Sequence, residues 1–191
     1  MSSTQTYTIT PAVFPTDKEA IISLFSDYTS ALGLDLTFQD YSTELNSLPG
    51  KYSPENGGII LIARDVSNQG MIVGCVAVRA LPISTTISTT SSTSPVSDGD
   101  DKTMNEDKGY CEMKRLYISP SARGSGLGAR LVEAIIQHAR GTGLYKGIRL
   151  DTLSGEYMAS ARVLYGKYGF REIEKYYETP VEGTIFMGLD F

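Results

Sequence analysis

The chain has 191 residues, with 17 lysines and arginines against 22 aspartates and glutamates, and a formal net charge of −5 at pH 7. This length suits one ordinary domain with a real hydrophobic core, so we treat residues 1–191 as a single domain. The negative charge opposes non-specific binding to nucleic acid and mildly favours a cationic or amine partner.

The first half of the chain predicts a strand, two helices and a β-hairpin. Apolar residues recur at helical spacing across Asp17–Leu32, and a second helix over Gln39–Leu48 ends before a Pro-Gly pair. Segments rich in Ile and Val flank the turn-forming sequence Ser67–Gly70, which is typical of a hairpin. The strands predicted in this half are Tyr7–Thr10, Gly58–Arg64 and Met71–Ala80.

Residues 82–108 differ in composition from the rest of the chain. Ser and Thr dominate Ser84–Ser94, acidic residues follow at Asp98–Asp101, and almost nothing in the segment can enter a core. We interpret it as a disordered surface insertion between two strands. The alternative is a loop that is phosphorylated or that gates substrate entry.

The second half predicts strands and helices around a glycine-rich turn. Strand Tyr110–Ile118 precedes Arg123–Ala129, which has three glycines in five residues and begins a helix. Such a turn directs several backbone N–H groups to one point beside the positive end of the helix dipole, so it predicts a phosphate site, with Arg123 as a cation at its edge. A flexible turn before a helix is the simpler alternative. The later predicted elements are strand Lys146–Asp151, a helix over Tyr157–Tyr168, and strands Phe170–Ile173 and Thr184–Leu189.

This order of elements predicts an α/β (α+β) fold, a mixed central sheet with helices on both faces. Gly124, Gly126 and Ala129 match the spacing of the dinucleotide-binding fingerprint, and Asp151 closes the next strand. The match is weak because Ser119–Arg123 separates the strand from the first glycine. The 40 residues after Asp151 are also too few to complete a doubly wound sheet.

Two motifs together carry a more specific family resemblance. Arg123-x-x-Gly126-x-Gly128, preceded by Met113–Ile118, resembles the acetyl-CoA-binding motif of the GNAT acyltransferase superfamily. Leu164–Phe170 resembles the segment that ends the next helix in the same superfamily. The similarity spans Tyr7 to Leu189 apart from the insertion, and a few further segments resemble a microbial subgroup whose substrates are mostly unassigned.

The resemblance implies a GNAT fold in which two splayed parallel strands, Tyr110–Ile118 and Lys146–Asp151, hold acetyl-CoA as co-substrate, without a metal. Backbone N–H groups near Leu116 or Tyr117 would stabilise the oxyanion. Many members carry an asparagine where this chain has Met158, so that contact is absent or replaced, with Ser160 as the candidate. The residues predicted to bind the coenzyme are Leu116, Tyr117, Ile118, Arg123, Gly124, Ser125, Gly126, Leu127, Gly128 and Ala129.

The resemblance also implies two catalytic residues. Glu112 occupies the strand position of a glutamate general base, acting directly or through water; the alternative is an exposed carboxylate paired with Lys114 or Arg115. Tyr165 matches a tyrosine that protonates the departing thiolate; the alternative is a core aromatic residue. Further candidates for the acceptor pocket are Tyr28, Tyr52, Arg79, Asp151 and Thr152.

We therefore predict an N-acetyltransferase that moves an acetyl group from acetyl-CoA to a primary amine, on a small molecule rather than on a protein lysine. Direct attack in a ternary complex is expected, because Cys75 and Cys111 sit in apolar strands with no histidine nearby in sequence. The alternative is a catalytically idle module that binds acyl-CoA as a sensor or scaffold.

Segment Met1–Thr10 has neither the basic stretch nor the apolar core of a signal peptide, and the longest apolar runs are too short to span a bilayer. We expect a cytoplasmic protein, with a nuclear location also compatible, that binds neither membrane nor nucleic acid. A homodimer is compatible with the sequence, which fixes neither the oligomeric state nor the acceptor.

Overall fold

The structure is a computed structural model that describes residues 6–33, 41–82 and 108–191. The predicted disordered insertion, residues 82–108, therefore lies outside the described residues except for its first and last residue. The first two residues of the helix predicted over Gln39–Leu48 also lie outside them.

The described residues form a seven-stranded mixed sheet in the order β1-β2-β3-β4-β5-β7-β6. Neighbouring strands are antiparallel except β4 and β5, which are parallel. The strands are β1 (Tyr7–Pro11), β2 (Ile59–Asp65), β3 (Met71–Ala80), β4 (Gly109–Ile118), β5 (Tyr145–Leu153), β6 (Arg171–Glu172) and β7 (Thr184–Asp190). The helices are α1 (Lys18–Leu32), α2 (Tyr41–Asn46), α3 (Leu127–Gly141) and α4 (Ala159–Lys167).

Alternating side chains of the sheet enter two separate cores, one on each face. On one face, Leu61 of β2 packs with the apolar stripe of α3, including Leu131 and Ile135. On the other face, Ile60 and Ile62 pack with Ile21, Leu24 and Phe25 of α1. Because β2 is covered on both sides, its sequence is almost continuously apolar. This arrangement confirms the predicted mixed sheet with helices on both faces.

The differences from the predicted elements lie at their ends. The helix predicted over Tyr157–Tyr168 is a 3₁₀ turn, Glu156–Met158, followed by α4, and the strand predicted over Phe170–Ile173 is only the two residues of β6. Short terminal turns carry little periodic signal, so the sequence pattern overestimates both elements. Within the described ranges, every helix is too short or too polar to cross a membrane.

Gly58, just before β2, lies very close to the backbone of Lys51 and Tyr52. A Cβ added there would lie 2.5 Å from the Cα of Tyr52 and 2.6 Å from the carbonyl oxygen of Lys51. Both neighbours are backbone atoms, so they cannot move aside as a flexible side chain can.

We expect Gly58→Ala to lower the free energy of unfolding by about 1–3 kcal/mol, the usual cost of overpacking. Gly141→Ala is the matched control, because a Cβ at that position meets no atom within 4 Å. Denaturant unfolding of both variants measures the difference. Equal stability of the two variants would show that the close approach at Gly58 is not a constraint.

Candidate active site

A glycine turn and the start of α3 form a concave surface at the end of β4. Gly124 and Gly126 have φ values of 76° and 78°, and a Cβ added at either would meet no atom within 4 Å. Glycine suits this left-handed backbone, which other residues rarely adopt. The open space in front of the turn leaves the first N–H groups of α3 accessible to an anion.

The structure brings seven of the ten predicted coenzyme-binding residues together on this surface: Ile118, Arg123, Gly124, Gly126, Leu127, Gly128 and Ala129. Leu116 instead lines a pocket between β4 and β5. Tyr117 belongs to the core on the α1 side, and the Ser125 hydroxyl donates to the carbonyl oxygen of Ala122. The binding role of all ten stays a prediction.

Two cations lie at this surface, one of which the sequence analysis did not assign. Arg123 is fixed, because its Nε donates to the Ile118 carbonyl oxygen at 3.0 Å and its guanidinium carbon lies 5.6 Å from the centre of the Tyr117 ring. Lys167 of α4 lines the same surface, as does Ser160. Lys167 follows Leu164 by three residues, so helical spacing within the second motif could have indicated it.

β4 and β5 separate beside this surface. They pair from Gly109–Tyr145 to Glu112–Arg149, after which β4 continues along β3 and β5 along β7. A pocket opens between the diverging strands, lined by Met113–Leu116 and Leu150–Leu153. We call it the central pocket. Its remaining walls include Tyr28 of α1, Tyr165 of α4 and Tyr177, which follows β6.

A β-bulge in β4 lies at this divergence. Cys75 pairs with Tyr117 and Ala77 with Lys114, so Arg115 and Leu116 together oppose a single residue of β3. Arg115 has a φ of 60°, an unusual conformation for a residue with a side chain. The bulge places Leu116 with the α3 core, while Arg115 points to the α1 side.

Arg115 is buried and paired. Its Nε and Nη2 donate to the two carboxylate oxygens of Glu44 at 2.9 and 2.6 Å, and the Tyr52 hydroxyl donates to Glu44 at 2.8 Å. Burial acts to raise the pKa of Glu44, but the bonds from Arg115 outweigh it and hold that pKa below its ordinary value. Glu44, Tyr52 and Arg79 also line a second pocket, so Tyr52 and Arg79 are not in the central pocket.

Glu112 lies inside a network of donors. Arg79 donates to its Oε2 at 2.8 Å, Tyr176 donates to its Oε1 at 2.8 Å, and Lys114 lies 3.9 Å from Oε1. The Glu112 side chain is 1% exposed. The exposure that the alternative assumed is therefore wrong, and so is the pairing with Arg115, which bonds Glu44, whereas the pairing with Lys114 is present. The general-base role, direct or through water, stays a prediction, and the buried Glu112 carboxylate does not line the central pocket.

Asp151 is the carboxylate that lines the central pocket. Its side chain is 21% exposed, and Lys114 donates to its Oδ1 at 2.8 Å. Burial raises the pKa of Tyr177, and the nearby charge of Asp151 raises it further. Burial likewise raises the pKa of Tyr28 to about 12, so both phenols at the pocket wall keep their protons at neutral pH.

Tyr165 and Thr152 line the central pocket on its α4 side. Burial raises the pKa of Tyr165, so its phenol is protonated and can act as a donor. Tyr165 also packs in the α3 core, 5.9 Å from Phe170 between ring centres. Its acid role stays a prediction. The Thr152 hydroxyl is buried and has no hydrogen-bond partner among the described residues.

Comparisons with known proteins agree with this geometry. The family model for the GNAT acetyltransferase domain matches residues 56–172. The chain is 35% identical over 182 residues to an uncharacterised N-acetyltransferase of Schizosaccharomyces pombe, covering 95% of this chain and 93% of the relative.

Solved structures share the fold. A GNAT-family acetyltransferase from Staphylococcus aureus superposes with a TM-score of 0.67 at 18% identity, covering 97% of this chain and 99% of the other. An acetyltransferase from Clostridium acetobutylicum, whose crystal structure is with acetyl-CoA, superposes with a TM-score of 0.63 at 17% identity, covering 91% and 96%. The chain therefore belongs to the GNAT acetyltransferase family, and its enzyme class is that of the N-acetyltransferases.

Proposed function

We propose that this protein transfers the acetyl group of acetyl-CoA to a primary amine of a small molecule, by direct attack in a ternary complex. The observation that carries the proposal is the gap between β4 and β5, which lies beside the glycine turn and has Tyr165 and Asp151 in its walls. GNAT acetyltransferases use acetyl-CoA, and the Clostridium acetobutylicum structure is with that coenzyme.

The residues present fit acetyl-CoA. The N–H groups after Gly124 and Gly126 would hold the pyrophosphate, with Arg123 and Lys167 as the nearby cations. The unpartnered hydroxyl of Thr152 would bond a polar group of the pantetheine arm, since a buried hydroxyl without a partner is costly. When bound, acetyl-CoA supplies the thioester that the amine attacks.

The chain's own groups would assist the attack. Backbone N–H groups near Leu116 or Tyr117 would stabilise the negative charge that develops on the carbonyl oxygen. The Tyr165 phenol would donate its proton to the departing thiolate. Direct attack is supported because Cys75 and Cys111 are buried free thiols, and burial raises the pKa of each to about 12, so neither is a ready nucleophile.

The pyrophosphate assignment is tested at the glycine turn. A Val side chain at Gly126 would occupy the open space in front of the turn and strain a left-handed backbone, so Gly126→Val is expected to abolish measurable acetyl-CoA binding in calorimetry. Arg123→Ala is expected to weaken binding by only about 1.5–3 kcal/mol, the range for a charge-assisted hydrogen bond. If a folded Gly126→Val variant bound acetyl-CoA with wild-type affinity, the glycine turn would not be the pyrophosphate site.

Thr152→Val separates a ligand-binding hydroxyl from a packing residue. Because the variant removes an unpartnered buried hydroxyl, we expect unchanged or higher stability without ligand and a loss of acetyl-CoA affinity of about 0.5–1.5 kcal/mol. Thr142→Val is the matched control, since Thr142 Oγ1 donates to the Ala139 carbonyl oxygen away from the pocket. The control should lose stability and keep its affinity. Unchanged affinity of Thr152→Val would leave its hydroxyl without a coenzyme role.

Turnover is the test of the proposed function. We expect free thiol to be released from acetyl-CoA when primary amines are supplied, and Tyr165→Phe to lower kcat by about 10²–10⁴-fold, with the acetyl-CoA Kd within a few-fold of wild type. Tight acetyl-CoA binding without turnover of any amine would favour the idle module. Preserved kcat in Tyr165→Phe would make Tyr165 a core residue only.

A further inference from the structure

We propose that the acceptor is an amine with a single positive charge on an uncharged, largely apolar body, and that Asp151 is the catalytic residue that binds its ammonium group and accepts its proton. This inference rests on the proposed function and names the substrate class of the same site. It departs from the sequence prediction, which gave the general-base role to Glu112.

Access distinguishes the two carboxylates. Asp151 lines the central pocket with 21% of its side chain exposed, whereas Glu112 is 1% exposed and its oxygens accept from Arg79 and Tyr176. Asp151 already accepts from Lys114 at 2.8 Å, but it lines the pocket and is partly exposed, so an amine there can contact its carboxylate directly. Glu112 does not line this pocket, so an amine there would have to move packed groups aside to contact its buried carboxylate.

The position of Asp151 along the chain supports a role in the reaction. It follows Arg149, the last β5 residue paired with β4, by two residues, so it stands where the strands have just separated. Leu116 and Tyr165, the residues proposed to act on the oxyanion and the thiolate, line the same pocket. A general base must lie within reach of the proton that it takes, and Asp151 is the described carboxylate that lines this pocket.

Charge balance limits the acceptor to one positive charge. Lys114 and Arg115 line the pocket with Asp151, and Glu44 neutralises Arg115 through two hydrogen bonds. Lys114 is held between Asp151 and Glu112. Among the described residues these charges cancel before substrate binds, so one ammonium already gives the pocket a net charge of +1, and the further positive charges of a polyamine or basic peptide would have no carboxylate partner there. An amino acid would bring a carboxylate to cations that already have partners.

The apolar and aromatic walls of the central pocket favour an uncharged, apolar body on the acceptor amine. Leu32, Leu153, Met158 and Val181 contribute apolar surface, and Tyr28 and Tyr177 contribute aromatic rings. Such walls bind an alkyl or aryl body through buried apolar area. Aromatic ring faces also favour a nearby ammonium.

In the proposed reaction, the two protons that leave the amine nitrogen go to Asp151 and to Tyr165. The ammonium gives one proton to Asp151, and its freed lone pair attacks the carbonyl carbon to form the C–N bond. The C–S bond then breaks, the thiolate takes the Tyr165 proton, and the second proton lost by nitrogen returns the phenol to its neutral form. The Asp151 proton leaves to solvent. The products are the amide, free CoA thiol and one proton.

The experiment compares two acceptors of nearly the same shape, 2-phenylethylamine, which is cationic at neutral pH, and O-benzylhydroxylamine, which is uncharged. We expect Asp151→Asn to lower kcat/KM for 2-phenylethylamine by about tenfold to a hundredfold or more, the loss for one charge-assisted contact plus base catalysis. The loss for O-benzylhydroxylamine should be several-fold smaller. The acetyl-CoA Kd should stay within a few-fold of wild type.

Two further variants serve as comparisons. Asp190→Asn makes the same change on β7, where the carboxylate is 71% exposed and pairs with Arg149 outside the pocket, and it should keep wild-type rates. Glu112→Gln should lower the rates for both acceptors, and it should change the preference for the charged amine less than Asp151→Asn does, because Glu112 touches neither acceptor and reaches Asp151 only through Lys114. Asp151→Glu should restore part of the preference for the charged amine.

Several results would overturn the inference. An equal loss for both acceptors in Asp151→Asn, or a charge-selective loss in Glu112→Gln alone, would remove Asp151 from the role. Wild-type preference for spermidine or a lysine peptide over 2-phenylethylamine would reject the substrate class while leaving the proposed function intact. Acetyl-CoA binding without turnover of any amine would reject the proposed function and this inference together.

Discussion

The separation of β4 from β5 is the constraint on which the rest of the site depends. Parallel strands that stayed paired would satisfy each other's backbone groups and leave no space between them. Here the pairing ends at Glu112 and Arg149, while each strand keeps its antiparallel neighbour on the other side. The sheet therefore remains continuous at its hydrogen-bonded end and opens at the other. The glycine turn lies at the end of β4, directly beside that opening.

Contacts from a distant part of the chain stabilise the bulged conformation of Arg115. A left-handed conformation at a residue with a side chain costs roughly 1–2 kcal/mol. Arg115 is compensated by two hydrogen bonds to Glu44 and by the rings of Phe25, Tyr28 and Tyr41, whose centres lie within 5.9 Å of its guanidinium carbon. Replacing such a buried pair by apolar side chains is often neutral, whereas removing one partner alone would leave an uncompensated buried charge. Through this pair, α2 and α1 set the shape of the central pocket from the side opposite α4.

The parts of the site that the sequence predicted are those built from local contacts. The turn from Arg123 to Ala129 and the α4 motif each lie within one short segment, so glycine spacing and helical periodicity are enough to place them. Glu44 and Arg115 lie 71 residues apart, and Arg79 and Glu112 lie 33 apart. No periodicity links such positions. The bulge also breaks the alternation of β4, so a pattern that pairs Glu112 with Arg115 along one strand cannot hold once Arg115 turns toward Glu44.

A row of alternating charges connects the buried carboxylate of Glu112 to the central pocket, which Glu112 does not line. The row consists of Arg79, Glu112, Lys114 and Asp151. Lys114 lies 2.8 Å from Asp151 and 3.9 Å from Glu112, so its charge is shared unequally between them. If Glu112 lost its charge, its attraction for Lys114 would weaken, and Lys114 would neutralise Asp151 more completely. A more completely neutralised Asp151 attracts an ammonium group less strongly. In the proposed reaction, Glu112 would therefore act through Lys114, while Asp151 at the end of the network accepts the proton.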